Sequence, residues 1–381
     1  MSKHGIRFGL AGLGCLGALA HAGVLPDDRV DLLWHDYDGG GIQVEGPSVL
    51  IQKKITDDFA VTANYYTDMI TSASIDVVTQ ASPYKEQRHQ GSLGFEFLNG
   101  KTTYSGGEIH SVEPDYLSNT GYFSISQDMF GDLTNVSMGF TRGWDWVGRV
   151  NHGVVQNFHQ SVDRRNWQVG VSQILTRNSL LTFNYEATDS EGYLNNPYRN
   201  ARYVSSSGIG YTYEEERYPH TRTGNALSLE YKYYLPYRAS IDGSYRFYTD
   251  TWDILAHTFT LGYTQPIGQS WIVDGTVRYY TQRQASFYSD LYPYLNSQNF
   301  LARDRELAAF DSVTLGGGVT WQLPITRYSW LQRSTMNFRY DRLSIHYKDF
   351  RDVLIPSEGP GTEPFYVLDA NVMQFFLSAW Y

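Results

Sequence analysis

The sequence predicts an all-β protein: a transmembrane antiparallel β-barrel of about sixteen strands (roughly 14–18), with short turns at one end and long loops at the other. Three observations carry that prediction. Apolar and polar residues alternate with a period of two in stretch after stretch, tight Gly, Pro or Asn breaks separate long polar segments, and charged residues crowd one of the two faces that the alternation defines.

The N-terminus reads as a targeting segment. "MSKHGIRFGLAGLGCLGALAHAG" opens with Lys3 and Arg7, runs through small and apolar residues from Phe8 to Leu19, and reaches an A-x-A site at Ala20-His21-Ala22. This is the layout of a secretory signal peptide spanning residues 1–22, which leaves 23–381 as a single barrel domain. Cys15 is the one cysteine, and Gly12-Leu13-Gly14 before it lack the leucine that a lipoprotein signal carries three positions upstream. The mature chain then has no cysteine, so a disulfide framework, a thiolate metal site and C-x-x-C-H haem attachment are all excluded.

Composition narrows the class. Tyrosine reaches 31 and glycine 35 of 381 residues, mean hydropathy is −0.40, and no later stretch supplies the ~20 apolar residues of a membrane helix. Of the 30 basic residues, Lys3 and Arg7 leave with the signal; the remaining 28 face 40 acids, a net charge of −12. Nucleic acid is excluded as a partner, because phosphate binding needs clustered Lys and Arg.

Taken in order, the elements support the barrel. "RVDLLWHDY" is an ambiguous first strand near Arg29. "LTFNYEA" sets Leu181, Phe183 and Tyr185 against Thr182, Asn184 and Glu186, and "SIDGSYRFY" sets Ile241, Gly243, Tyr245 and Phe247 against Ser240, Asp242, Ser244 and Arg246. "WIVDGTVRYY" and "VTLGGGVTW" repeat the split, with Trp271, Val273, Val277, Tyr279, Val313, Leu315, Val319 and Trp321 on the apolar face. The chain closes on "VLDANVMQFFLSAWY", whose alternate residues Met373, Phe375, Leu377, Ala379 and Tyr381 are apolar. In water such an edge would aggregate; as a closing strand paired with the first it would face lipid, with Phe375, Leu377 and Tyr381 as the assembly signal.

The wet face decides between a barrel and a soluble sandwich. Asp242, Arg246, Asp274, Arg278, Glu230, Lys232, Arg339 and Asp341 are too many charges for a packed core and fit a water-filled lumen. Tight breaks at 98–101, 130–132, 176–179, 236–237 and 266–269 read as periplasmic turns. The polar stretches 69–86, 144–162, 190–220, 284–309 and 348–365 read as extracellular loops, each alternating with a tight turn. An even strand count returns both termini to the periplasm, and the stretch 203–216 is ambiguous.

Longer motifs point to a family. "SPYKEQRHQGSLGFEF", "HSVEPDYLSNTGYFSISQDM", "LNNPYRNARYV" with "EEERYPHTRTGNALSLEYKYYLP", and "RDRELAAFDSVTLGGGVTW" resemble the bacterial domain-of-unknown-function family numbered 3570, from about Gln43 onward. The resemblance implies an outer-membrane β-barrel. It also implies genomic neighbours that include a small lipoprotein, a thioredoxin-fold protein and a flavin-transferase-like protein, a hint of periplasmic redox work.

Chemistry is sparse in the sequence. His35, His89, His110, His152, His159, His220, His257 and His346 are scattered, with no G-x-S-x-G or other nucleophile pattern, so no catalytic residue is assigned. His257 shares the apolar face with Phe259 and Leu261 and reads as interfacial. "HDYDGGG" lacks the full EF-hand spacing and reads as a turn, and the Glu214–Glu216 run in "YEEER" reads as a solvated face. No metal site and no cofactor are expected. Trp271, Trp321, Tyr245, Tyr279 and Tyr381 fit interfacial girdles. The expected function is a porin-like channel for passive solute passage through a mixed-charge lumen in the bacterial outer membrane. Its expected contacts are outer-membrane lipid and the barrel-assembly machinery. The alternatives are a scaffold for a periplasmic or lipoprotein partner in redox or electron transfer, and an outer-membrane enzyme.

Overall fold

The structure is a computed structural model that describes residues 24–72, 84–151, 154–207, 209–324 and 330–381. The expected signal peptide, residues 1–22, lies outside the described residues. Twenty strands follow one another: β1 (Arg29–Gly39), β2 (Ile42–Lys54), β3 (Phe59–Ser72), β4 (Tyr84–Asn99), β5 (Thr102–Glu113), β6 (Tyr116–Met129), β7 (Thr134–Val147), β8 (Val150–Asn151), β9 (Val154–Val155), β10 (Gln160–Thr176), β11 (Ser179–Gly192), β12 (Asn200–Val204), β13 (Tyr211–Glu215), β14 (Thr221–Tyr234), β15 (Ser240–Asp250), β16 (Leu255–Ile267), β17 (Trp271–Gln282), β18 (Phe310–Gln322), β19 (Arg333–Arg351) and β20 (Phe365–Trp380). Sixteen of them close one antiparallel barrel in chain order, and β8–β9 and β12–β13 form two small hairpins outside the wall. The ambiguous stretch 203–216 is therefore the β12–β13 hairpin within a loop. The first strand is genuine: β1 pairs with β20 from Arg29↔Trp380 to Gly39↔Ala370, which removes both edges.

The start of β1 and the end of β20 lie at one rim, here the turn end. The opposite rim carries the loops 148–159, 193–220, 283–309 and 352–364, and of the expected loop 69–86 residues 73–83 lie outside the described residues. Strict alternation of long loops with tight turns does not hold there, because 40–41, 114–115 and 251–254 are tight connections at the loop end. The first of these is a two-residue hairpin on Gly40 and Gly41, whose φ of 58° and 75° suit a turn that follows strand twist.

The outer wall is apolar and open to its surroundings: Leu93 is 67% and Leu261 54% exposed. Toward the loop end the band stops at a repeated contact. An outward tyrosine bonds a polar residue two positions further toward the loops on the next strand: Tyr65 with His89 (2.8 Å), Tyr185 with Asn225 (2.7 Å), Tyr245 with His257 (2.8 Å) and Tyr340 with Asn371 (2.7 Å). The ring stays apolar and the hydroxyl finds a partner, as interfacial girdles require. His257 is such an interfacial side chain. Trp271 and Trp321 stack with centroids 5.6 Å apart near the turn end and form the other edge of the band.

Phe375 and Leu377 face outward on β20, flanked by Trp34 and Leu32 of β1 and by Phe338 and Met336 of β19. Tyr381 lies past the end of β20. Its N–H donates to the Asp28 carbonyl (3.2 Å) and its ring sits 4.9 Å beneath the Lys53 ammonium.

Candidate functional site in the lumen and its loop roof

Strand register sets all eight charged candidates on the inner face. Lys232 pairs across with Asp242, Glu230 with Ser244, Arg246 with Ser228, and Asp274 with Gly318, which pairs in turn with Arg339. Their contacts differ sharply. Arg339 bridges Asp274 (2.8 Å) and Asp341 (2.9 Å), reaching over Gly318, where a Cβ would lie 2.3 Å from the Asp274 carboxylate. Arg246 bonds Glu186 (3.0 Å) two strands away, and Lys232 stands 3.6 Å from Glu230. Arg278 and Asp242 form no ion pair among the described residues.

The same device appears elsewhere on the wall. His35 reaches Asp68 (2.8 Å) across Gly46, Asp68 also pairs with Arg88, and the Tyr66 hydroxyl lies 3.1 Å from the histidine. Arg164 pairs with Asp145, which also accepts from the Tyr116 hydroxyl (2.5 Å). Arg222 bonds Asp250 twice, at 2.8 and 2.6 Å. Most inward guanidinium groups are thus neutralised by a carboxylate on a nearby strand. In the half nearer the turns the side chains remain in water: Lys232 is 50% and Glu230 45% exposed although both point into a closed barrel. A recess of 490 Å³ at the turn-end rim is lined by Arg29, Asp31, Gln322, Asn337, Arg339 and Trp380 among others.

The inner face does not stay wet along its whole length. Toward the loops, Leu343, Ile345 and Tyr347 of β19 and Leu368 and Ala370 of β20 turn inward. They pack with Phe350 against Ala285, Phe287, Tyr288, Ala302, Leu307 and Ala308 of loop 283–309. That loop folds into the barrel mouth and covers an apolar patch of the wall; the expectation of a uniformly polar inner face is corrected here. The physical reason is burial: an inward apolar side chain is stable where another segment, rather than water, meets it.

Above this patch, loops from several strand pairs are laced by buried charges. Arg202, wholly buried, donates to the Asp290 carbonyl (2.9 Å), to both Glu363 oxygens (2.7 and 3.1 Å) and to the Asp290 carboxylate. Arg303 adds Asp290 (3.0 Å), and Arg199 pairs with Asp304. Loop 193–220 extends further to the β5–β6 turn and loop 148–159, through the Tyr198 hydroxyl on Asp115 and on the Val150 N–H (2.7 Å). The mouth therefore carries a folded roof in which Asp290, Glu363 and Asp304 are each bonded, as buried charges require.

Glu216 departs from the solvated face expected of "YEEER". It is buried, accepts from the Arg303 N–H (2.6 Å) and the Tyr218 hydroxyl (2.7 Å), and faces Asp304. Burial, and then the Asp304 charge, push its carboxyl up to about 7. Glu214 is also largely covered and accepts the Asn296 N–H (3.0 Å), so of the run Glu215 alone is the solvated side chain. The roof residues Arg199, Arg202, Asp290, Arg303, Asp304 and Glu363 were not found from sequence. The available signal was the density of charge in "YRNARYV" and "RDREL", both within the stretches that carry the family resemblance.

The model of the family described as "Protein of unknown function (DUF3570)" matches residues 75–341. The chain belongs to that family. No curated protein matches it in sequence. Among solved structures it is similar to a bacterial polysaccharide outer membrane secretin, at 9% identity over 93% of this chain and 98% of that one, with a TM-score of 0.50. It also matches a Pseudomonas aeruginosa FadL homologue (12%, covering 93% and 89%, TM-score 0.42) and the CymD monoaromatic hydrocarbon channel (8%, covering 93% and 88%, TM-score 0.45). At these identities the likeness is one of fold: a closed barrel of the outer-membrane type.

Proposed function

We propose that the chain is a porin-like channel of the bacterial outer membrane, delivered by its signal peptide and the barrel-assembly machinery, that passes small hydrated solutes without catalysis. The observation that carries this reading is the set of water-exposed charges inside the closed wall, Lys232, Glu230, Arg246 and Arg278, beneath a roof that narrows the extracellular mouth. A sixteen-strand barrel is wide enough for an aqueous bore, and a loop folded inside it restricts that bore. The ion-paired wall favours polar solutes with little net preference for one sign, since each bound pair cancels its own field. The non-enzymatic reading rests on His35, whose Asp68 partner is shared with Arg88 in a bracing network. Planar-bilayer recording of the purified protein tests the channel: discrete steps of conductance are expected, and a silent bilayer with correctly folded protein would overturn it.

A second reading, a scaffold for a periplasmic or lipoprotein partner, is favoured by the extent of the roof and by the recess at the opposite rim, which opens toward the periplasm in this orientation. It expects conductance only after the roof is loosened.

A further inference from the structure

Resting on the channel reading, we infer that the lumen contains an anion-binding station on β15–β17, built around Arg246 and Arg278, that takes solutes bearing a carboxylate or phosphate group. Arg246 and Arg278 stand on alternate strands, and the strand between them, β16, presents Thr258 opposite Arg246 and Thr260 opposite Arg278. Two long guanidinium groups thus overhang a floor of small hydroxyls. The guanidinium carbon of each lies over an aromatic ring on its own strand, Arg246 5.6 Å from Tyr248 and Arg278 5.7 Å from Tyr280, which orients the charged head along the wall.

Charge distinguishes this place from the rest of the wall. Arg339, Arg88, Arg164 and Arg222 each hold a carboxylate within ion-pair distance. Arg246 shares Glu186 with Asn166, and its side chain remains 42% exposed. Arg278 has no acidic partner among the described residues, and the cation it faces is Arg246. Two guanidinium groups with one carboxylate, Glu186, which lies on the side of Arg246 away from Arg278, leave a net positive centre in water. A guanidinium offers planar paired donors that match carboxylate and phosphate oxygens, and the threonine hydroxyls supply neutral donors below. Asp242, two inward positions nearer the turns than Arg246, repels anions that approach away from the station and so sharpens it.

The test separates this site from the channel. Calorimetric titration of the folded barrel in detergent, with succinate and with inorganic phosphate in a chloride buffer, is expected to show binding of at least one probe. Which probe binds more tightly distinguishes carboxylate from phosphate recognition. Arg278→Gln should weaken that binding at least tenfold and Arg278→Lys should retain part of it, with the heat-dependent gel shift confirming that both variants fold. Absence of binding by the wild type, or equal binding by Arg278→Gln, would overturn the station. Bilayer recording reads the channel independently. Conductance without block by either anion would overturn the station and leave the channel; binding without conductance would keep the station and remove the channel.

Discussion

Replacing Arg202 with Met tests what holds the roof together. Arg202 is wholly buried and makes four hydrogen bonds, three of them to the carboxylates of Asp290 and Glu363. Methionine keeps much of the bulk and none of the donors. Asp290 would retain Arg303 at 3.0 Å and the Arg351 N–H at 3.3 Å, whereas Glu363 would keep only the Gly361 N–H at 2.8 Å among the bonds identified to its side chain. The damage should therefore centre on loop 352–364. Removing one partner of a buried ion pair costs about 3–5 kcal/mol, which at ~1.4 kcal/mol per tenfold raises the opening equilibrium by roughly two to three and a half orders of magnitude. Hydrogen exchange read by mass spectrometry should show peptides from 352–364 and 283–303 exchanging faster, while peptides from β4 to β7 hold as an internal reference. Adding Glu363→Gln should recover part of the loss, because the orphaned charge is then gone. Unchanged exchange at 352–364 would show that the apolar contacts alone fix the roof and that the ion pairs are incidental.

The roof should also respond to pH. Glu216 has its carboxyl raised to about 7 from the ordinary 4.5, chiefly by burial and then by Asp304. The folded state therefore holds a proton that the unfolded state has released, so its contribution to stability is full below about 4.5 and is lost as pH rises through about 7. Exchange protection in 193–220, corrected for intrinsic rates, should fall between pH 5 and pH 8, and Glu216→Gln should flatten that fall; a fall that persists in the variant assigns the effect elsewhere. On the wall, Leu261→Arg at an outward position in the middle of β16 should cost about 2–4 kcal/mol in vesicle unfolding titrations. Thr182→Arg, inward and paired opposite Glu230, should cost much less, and equal costs would contradict the assignment of faces. Phe375→Asp sets a carboxylate between Trp34 and Phe338 on the outer wall. It is expected to abolish the heat-modifiable folded band, and a normal band would remove Phe375 from any assembly role.

The sequence by itself determined the wall. A period of two recurs wherever one face meets an apolar medium and the other meets water, so a closed wall of about sixteen strands ending on its closing strand was legible, while the first strand stayed ambiguous. Each of those features is local to a strand or to a short turn. What tertiary structure decided is which charges meet. Arg339 finds Asp274 only because β18 places Gly318 between them, and the sequence separation of 65 residues carries no such information. The inward apolar residues of β19 and β20 and the burial of Glu216 and Arg202 share one cause. In a loop or at a strand end, polarity reads as exposure until another segment folds over it. Loop 283–309 does so here, converting a run that looks solvated into buried charges such as Arg303 and Arg305.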